Sequence, residues 1–426
     1  MALSAQQIAI VKSTAPVIKE HGKTITTYFY KTLLDEHPEL KNIFSLRHQQ
    51  VGAQQQALAD AVFGYAAYID DLGKLTEAVE RIAQKHVSLL VRPEHYPIVG
   101  DYLVRAFGHV LGPALTPDIK EAWVAAYGQL ANVFIAREKE LYGRPGTWTD
   151  WRRFVISRRE QEAEGIVSLY LRPVDGKPLV SYQPGQYVSV QVPLPELDGL
   201  RQNRQFSLST APADATAEYR ISVKREDTVA SPSVDDVAEG KIPGLISNML
   251  HDEYPIGHEL SVSAPAGEFF YDADAAPATD PIVLLSLGVG ATPHVAILDA
   301  VLQSRHARRP ISWIQAARSS AAMCFRQHVR AAAAAHDNVR PLLWVKEVRE
   351  GDTKGNEYDV EGRLDMDAVL QRDASLLHLD NGAAGYYLCG PQEWMVQTRR
   401  WLEQQGVPRT RIHLELFGTG EAEPIV

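Results

Sequence analysis

The run Ile282-Val283-Leu284-Leu285, which leads into Gly288-Val289-Gly290-Ala291-Thr292-Pro293, decides how the last third of the chain folds. The apolar run predicts a buried strand, the glycines a tight turn, and the apolar spacing beyond them a helix. Thr292 is placed to cap that helix, and Pro293 suits its first turn. Backbone N–H groups of such a turn can approach a pyrophosphate at the positive helix end; a tight turn with nothing bound is the alternative.

The segment from 280 to 426 continues with short apolar runs that are separated by helical stretches. These runs lie at 311–314, 342–345, 386–388 and 412–417. Strands that alternate with helices predict a parallel α/β sheet. Cys389-Gly390-Pro391 follows one of the strands, at the edge where open α/β sheets bind ligands, and so supports a nucleotide site.

The composition is that of a globular protein with several domains. The 426 residues are 45% hydrophobic and 23% charged, and this length predicts about two to four domains. A net charge of -10 argues against a nucleic-acid partner. We find no bilayer-spanning run and no secretion signal, and two isolated cysteines suit a reducing cytosol, so we expect a cytoplasmic protein.

The middle of the chain, residues 152–275, alternates apolar and polar side chains. The alternating apolar positions are Val167, Leu169 and Leu171, then Val188, Val190 and Val192, then Tyr219, Ile221 and Val223. This period of two predicts strands of a small antiparallel β-barrel or sandwich. Residues 226–243 are acidic and rich in small side chains, which predicts an inserted mobile loop.

Three segments of this middle part carry groups that suit a flavin dinucleotide. In Arg204-Gln205-Phe206-Ser207, the Arg can pair with phosphate, the hydroxyl can bond a ring edge and the aromatic side chain can pack on the ring system. Pro184-Gly185-Gln186-Tyr187 brings a second aromatic residue, and Gly244-Leu245-Ile246-Ser247-Asn248 offers donors for a diphosphate. Taken singly, each segment is also an ordinary strand end.

Residues 1–147 show the three- and four-residue apolar spacing of helices. His86 lies on the stripe of Val79, Ile82 and Leu90, so its imidazole faces the interior. A buried, hydrogen-bonded histidine is one interpretation, and a haem ligand held through its second ring nitrogen is the other.

Glu138 lies on the interior stripe of the last helix of this part, between Phe134 and Leu141. A carboxylate is costly there unless it is paired. A network of Glu138, His86 and Tyr96 behind a haem would push electron density towards iron, whereas the alternative is a Glu138 that is solvated at the helix end.

The succession of motifs from 152 to 426 resembles the ferredoxin–NADP reductase superfamily. The order is Pro-Gly-Gln-Tyr, Arg-x-aromatic-Ser, Gly-x-x-Ser-Asn, Gly-x-Gly-x-Thr-Pro and Cys-Gly-Pro. The resemblance implies FAD in the barrel and NAD(P)H on the α/β domain. It also implies that Phe417 stacks over the isoalloxazine and that Glu415 tunes flavin reduction, although Phe417 by itself is only an apolar strand residue.

The helical part is similar to a globin, and the whole chain resembles a flavohaemoglobin. The stretches that carry the resemblance are Thr14-Ala15-Pro16, 37–44, Gln84-Lys85-His86, 96–100 and 221–226. The resemblance implies an all-α globin domain with His86 as the iron ligand and Lys85 as a neighbouring site residue. It also implies a distal pocket in which Tyr30 and Gln54 bond dioxygen, Phe44 wedges the haem and Leu58 limits access. Gln54 also lies in a polar run that would suit a plain exposed face.

The resemblance implies a nitric oxide dioxygenase that uses haem b, FAD and NAD(P)H to convert NO and dioxygen to nitrate. The alternatives are a general NAD(P)H-dependent flavohaem reductase of ferric iron, quinones or hydroperoxides, and a haem gas-sensing binding module. We expect a monomer, and the family admits a lipid in the distal pocket. Arg318 is a candidate for recognising a 2′-phosphate, or else a solvated loop charge.

Three features depart from the family pattern. Phe206 stands where Tyr is usual, Leu287 stands where a second Gly is usual, and the insertion at 226–243 is longer than typical. We expect these departures to alter the flavin reduction potential, the nucleotide affinity and the rate. None of them removes a ligand or the anchoring Arg204.

Overall fold

The computed structural model describes residues 3–144, 146–195, 197, 199–212, 217–226, 229–230, 241–242, 245–272, 277 and 279–418. Within these ranges a helical part comes first, an antiparallel sheet second and a parallel α/β part third. This order confirms the predicted fold class. The boundaries at 1–147, 152–275 and 280–426 stay predictions. None of the helices in these ranges has the length and hydrophobicity needed to cross a bilayer.

The helical part packs around two apolar clusters, and the ends of its helices follow local signals in the sequence. Its α-helices are α1 (Ala5–Glu36), α2 (Leu46–Gln50), α3 (Ala53–Ala67), α4 (Thr76–Ser88), α5 (His95–Leu111) and α6 (Pro117–Tyr142), with a 3₁₀ helix at Pro38–Asn42. Ser4 caps α1 by accepting a hydrogen bond from the Gln7 N–H, and Thr116 caps α6 in the same way. Helix α1 ends just before His37-Pro38, because the residue that precedes a proline disfavours helical geometry.

The middle part is an antiparallel sheet that closes on itself. Its strands are β1 (Arg152–Ala163), β2 (Ile166–Pro173), β3 (Tyr187–Leu194), β4 (Leu200–Ser207), β5 (Tyr219–Lys224), β6 (Val229–Ala230), β7 (Lys241–Ile242) and β8 (Glu259–Val262), with helix α7 (Leu245–Asp252) before β8. The main sheet has the order β4-β3-β8-β1-β2-β5. A bridge between Leu208 and Ile221 joins the chain after β4 to β5, so the sheet closes into the predicted barrel.

The third part is a parallel sheet with helices between its strands. Its elements are β9 (Ile282–Leu287), α8 (Ala291–Gln303), β10 (Ile311–Ala317), α9 (Arg326–Ala335), β11 (Val339–Val345), β12 (Val360–Glu361), α10 (Met366–Asp373), β13 (Gly385–Cys389), α11 (Gln392–Gln404) and β14 (Ile412–Glu415). The strand order is β12-β11-β10-β9-β13-β14, so the chain leaves β9 in one direction and later returns to its other side. Between β9 and β13 the order therefore reverses, and a crevice opens at their carboxyl ends.

Candidate functional site

His86, on α4, is held from behind by two side chains of the helical part. Its Nδ1 lies 2.8 Å from Glu138 Oε1 and 3.0 Å from the Tyr96 hydroxyl. Glu138, on α6, is only 2% exposed, so the alternative of a solvated carboxylate is wrong. Burial, followed by the nearby Glu138 charge, raises the pKa of Tyr96, which therefore stays a neutral donor to Glu138.

The other ring nitrogen of His86 has the properties of a free ligand atom. Nε2 has no hydrogen-bond partner among the described residues, and 30% of the His86 side-chain surface remains exposed although the helix face is apolar. A histidine ligand of a metal typically holds its second ring nitrogen in a carboxylate bond of this kind. The residues present therefore fit a haem site in which His86 would be the iron ligand, with Nε2 as the donor.

The residues predicted to line the distal pocket lie on α1, on α3 and just before α2. Tyr30, on α1, is 4% exposed, and burial raises its pKa despite a hydrogen bond with Gln54. Gln54 is therefore not on a plain exposed face. Gln54 and Leu58 lie four positions apart on α3, and the Phe44 ring meets the Tyr30 ring edge-on with centroids 5.4 Å apart. The structure thus groups a neutral hydroxyl, an amide and two apolar side chains.

In the barrel, the predicted flavin motif occupies the end of β4 beside β3. Tyr187 pairs with Ser207 across the two strands, so these two side chains point to the same face, as does that of Gln205. Arg204 and Phe206 point to the other face. The Ser207 hydroxyl is buried without a hydrogen-bond partner in the described part of the chain, as expected of a group that bonds a missing ring edge. The barrel therefore fits a flavin at this strand end.

The proposed diphosphate segment is described only in part. Ser247 and Asn248 lie in the first turn of α7, where the Glu226 N–H donates to Ser247 Oγ at 3.3 Å. Gly244 lies outside the described residues, as does most of the predicted insertion at 226–243.

The two nucleotide loops meet at the crevice between β9 and β13. Gly288 has φ +56, and a Cβ on Gly290 would lie 2.1 Å from the Cys389 carbonyl oxygen, so only glycine permits this approach. Both loops line a cavity of about 440 Å³ whose lining comprises Lys224, Glu226, Leu287–Gly290, Gly390–Gln392, Met395 and Leu416–Gly418. The crevice fits a nucleotide that lies across both loops, which include Val289, Ala291 and Pro391 at their edges.

The predicted role of Thr292 as the helix cap is wrong. A 3₁₀ turn at Gly288–Gly290 runs directly into α8, so the residue before the helix has helical rather than extended geometry. Thr292 Oγ instead donates to the Val289 carbonyl at 2.9 Å. Pro293 does lie in the first turn of α8, as predicted.

Of the two predicted C-terminal site residues, Glu415 lies on β14 and Phe417 lies beyond it. Glu415 is the last residue of the strand, is buried and pairs with Cys389 on β13. Burial, with the Glu268 charge second, raises the pKa of Glu415 well above its usual range, while Lys85 lowers it. Phe417 lies beyond the strand and is 48% exposed, so the predicted strand at 412–417 is wrong at its end. Phe417 nevertheless lines the nucleotide cavity.

Comparison with known proteins agrees with both halves of the chain. Residues 27–134 match the Globin family, and residues 284–400 match the oxidoreductase NAD-binding domain. The flavohaemoprotein of Bordetella pertussis is 46% identical over 422 residues, which cover 98% of this chain and 99% of that one. The flavohaemoprotein of Rhizobium meliloti is 42% identical over 413 residues, with 96% of each chain covered.

The chain belongs to the flavohaemoprotein family.

Solved structures support the same assignment. A flavohaemoglobin from Malassezia yamatoensis, determined with bound FAD and haem, matches with a TM-score of 0.81 at 28% identity, covering 98% of this chain and 100% of that one. The FAD/NAD binding domain of a nitric oxide dioxygenase from Vibrio cholerae matches with a TM-score of 0.51 at 32% identity, covering 63% of this chain and 99% of that one. The predicted family is therefore confirmed, and haem, FAD and NAD(P)H are the cofactors of an oxidoreductase of this kind.

This flavohaemoprotein also has contacts between its parts that the sequence analysis missed. Arg81 Nε, on α4, lies 2.9 Å from Glu268 Oε1 of the barrel. Gln205 Nε2 donates to Ser88 Oγ at 2.8 Å, and Tyr187 also bonds the Ser88 side chain. Lys85 Nζ donates to the Gly418 carbonyl at 2.8 Å, which joins α4 to the C-terminal segment. These pairs are at least 99 positions apart in the chain, so no local spacing could have indicated them.

Proposed function

We propose that the protein is a nitric oxide dioxygenase that detoxifies NO in the cytoplasm. The observation that carries the proposal is the pairing of His86 with a buried carboxylate, in a helical domain that also joins Tyr30 to Gln54. This domain is part of the same chain as a two-loop nucleotide crevice. Two NO, two dioxygen and the two electrons of one NAD(P)H balance two nitrate, so an electron supply in the same chain suits the reaction.

When bound, the haem supplies the chemistry of dioxygen and NO, and FAD with NAD(P)H supplies electrons. Because Glu138 and Tyr96 hold Nδ1, Nε2 is the ring nitrogen of His86 that would bind the haem iron. A carboxylate on Nδ1 makes the imidazole a stronger electron donor. The neutral Tyr30 hydroxyl and the Gln54 amide can donate hydrogen bonds to dioxygen, and Phe44 and Leu58 restrict the entry of water and larger ligands.

The residues of the reductase part bind and orient the flavin and the nicotinamide nucleotide. Ser207 offers a hydroxyl to the flavin ring, and Arg204, Ser247 and Asn248 offer donors to its phosphates. The N–H groups of Gly288–Gly290 lie at the start of α8 and suit a pyrophosphate of NAD(P)H, with Gly390 close by. Arg318 is exposed just beyond β10, where it can meet a 2′-phosphate or remain solvated.

The test is aerobic NO consumption by the purified protein loaded with haem and FAD. We expect NADH-dependent NO loss with nitrate as the product. Tyr30→Phe should slow it, because dioxygen loses a donor. Tyr65→Phe is the matched control, since Tyr65 is a buried tyrosine of the same domain whose hydroxyl bonds only Ala126 and Gln129 among the described residues.

Two outcomes would favour other functions. Faster turnover of ferric iron, quinones or hydroperoxides than of NO would make the protein a general flavohaem reductase. Tight gas binding with slow reduction of the haem by NADH would make it a sensing module. A monomeric state and a lipid in the distal pocket belong to the same proposal, and gel filtration and extraction of the purified protein test them.

A further inference from the structure

One amide of the barrel holds a backbone segment of the helical part. Gln202, on β4, is 2% exposed. Its Nε2 donates to the Lys41 carbonyl at 2.9 Å and to the Phe44 carbonyl at 3.3 Å. Its Oε1 accepts from the Leu46 N–H at 2.9 Å. Because Leu46 begins α2, its N–H has no partner within the helix, and Gln202 supplies one.

The residues on either side of Gln202 also form hydrogen bonds with this segment of the helical part. The Arg201 N–H donates to Asn42 Oδ1 at 2.7 Å, and Asn203 Nδ2 donates to the Asn42 carbonyl at 2.8 Å. Three consecutive residues of one strand therefore bond the segment 41–46, which links the 3₁₀ helix to α2. Such a set of bonds orders the segment only while the barrel is docked against it.

The segment that is held carries Phe44, which contacts the ligand side of the helical domain. The Phe44 ring meets the Tyr30 ring edge-on, and Tyr30 bonds Gln54. A shift of the Phe44 backbone would therefore move the ring that packs against the dioxygen-bonding hydroxyl, since close-packed side chains transmit displacements. The predicted flavin motif, Arg204-Gln205-Phe206-Ser207, begins on the same strand two positions after Gln202.

We propose that Gln202 is a positioning residue for the ligand pocket of the helical domain, because it fixes Phe44 against Tyr30 and ties the pocket to the flavin-binding strand. The inference rests on the haem pocket of the proposed function but not on its NO chemistry. The reductase then does more than deliver electrons: its docking sets the geometry in which Tyr30 meets the ligand.

The test is Gln202→Leu in the full-length protein loaded with haem and FAD. The change removes the Gln202 bonds to the carbonyls of Lys41, Phe44 and Arg201 and to the Leu46 N–H. An effect on the ligand pocket equal to the loss of about one such bond corresponds to about three- to tenfold. We expect dioxygen to dissociate from the reduced protein about three- to tenfold faster. Carbon monoxide, which accepts hydrogen bonds weakly, should change less. Reduction of FAD by NADH should stay within about twofold of the wild-type rate.

Gln191→Leu is the matched control. Gln191 is a buried glutamine of the neighbouring strand β3, and its Oε1 accepts from the Arg201 guanidinium at 3.2 Å within the same sheet. Among the described residues Gln191 makes no hydrogen bond to the helical part, so the Gln191→Leu variant should release dioxygen at the wild-type rate. Hydrogen exchange of apoprotein peptides across 41–50 gives a readout without haem: exchange should rise in Gln202→Leu and not in Gln191→Leu.

A double-mutant cycle tests whether Gln202 acts through Phe44. In a Phe44→Leu background, Gln202→Leu should no longer change dioxygen dissociation. If Gln202→Leu does not fold, Asn42→Ala, which removes only the acceptor of Arg201, should shift dissociation in the same direction by less. Wild-type dissociation in the folded variants, or an undiminished effect in the Phe44→Leu background, would overturn the proposal. Wild-type protein that binds dioxygen but consumes no NO would refute the proposed function and leave this one standing.

Discussion

Replacing Gly290 with alanine should disable the nicotinamide site while sparing the rest of the protein. An added Cβ would lie 2.1 Å from the Cys389 carbonyl oxygen and 2.5 Å from its carbon. The loops after β9 and β13 would have to separate by about 1.3 Å to restore ordinary contact. They cannot do so freely, because Ser286 and Cys389 pair in adjacent strands.

The added methyl group overpacks the contact between the two loops, and overpacking typically destabilises a structure by about 1–3 kcal/mol. If the strain is relieved by opening the crevice, NAD(P)H affinity should fall by about five- to 150-fold. Anaerobic stopped-flow reduction of FAD at several NADH and NADPH concentrations measures this affinity. Absorbance of FAD and haem, and reduction of both by dithionite, should match wild type.

Gly382→Ala is the control for the glycine substitution itself. Gly382 lies in the same α/β part, has an ordinary φ, and an added Cβ would meet nothing within 4 Å. We expect wild-type reduction kinetics from it. Gly290→Ala protein that binds NADH within twofold of wild type would refute the idea that close approach of the two loops builds the nucleotide site.

Three further predictions concern other buried or paired groups. Glu138→Gln replaces the carboxylate on His86 with a neutral amide, weakens that bond by about 1 kcal/mol and should raise the haem reduction potential by about 40 mV in a redox titration; an unchanged or lower potential would contradict it. His294 is fully buried with both ring nitrogens unpartnered among the described residues, and burial lowers its pKa to about 3, so the folded state excludes a proton that the unfolded state takes up below pH 6.5. The free energy of unfolding should therefore fall as the pH drops from 6.5 towards 3. In urea titrations at several pH values, His294→Leu should make this fall less steep and should raise the free energy of unfolding at pH 7 by about 1–2 kcal/mol. An equally steep fall in the variant would count against this. Arg81→Met removes the ion pair with Glu268, should cost docking about 1 kcal/mol and should slow flavin-to-haem electron transfer up to about fivefold, with a weaker salt dependence; an unchanged rate and salt dependence would show that the pair does not hold the domains.

Much of the architecture could be predicted because its signals are local. The alternation at Val188, Val190 and Val192 became β3, and the run at 282–285 became β9, since burial on one or both faces of a sheet imposes those patterns directly. The predictions that failed concern ends of elements. Thr292 does not cap α8, and β14 stops at Glu415, because tertiary contacts decide where a terminal turn or strand residue lies.

The candidate site likewise combines residues that the sequence indicated with features that only the tertiary structure shows. His86 and Glu138 could be selected because each is a polar residue on an apolar helical stripe, and their bond at 2.8 Å follows from packing α4 against α6. The reversal of strand order at β9 and β13, which opens the crevice, could not be predicted from the two glycine-containing loops alone.

By itself, the amino-acid sequence determined the three-part fold and the order of the cofactor motifs, because periodicity, turn residues and motif order are properties of neighbouring residues. It also marked His86 and Glu138 as candidates, whereas their pairing required the packing of two helices. Only the tertiary structure decided how the parts are joined. Gln202 reaches Leu46 across 156 positions, Arg81 reaches Glu268 across 187, and the buried Glu415 carboxyl has its pKa raised by a fold that removes water from it. Such contacts depend on how whole domains pack, and packing between distant segments imposes no spacing that a sequence could display.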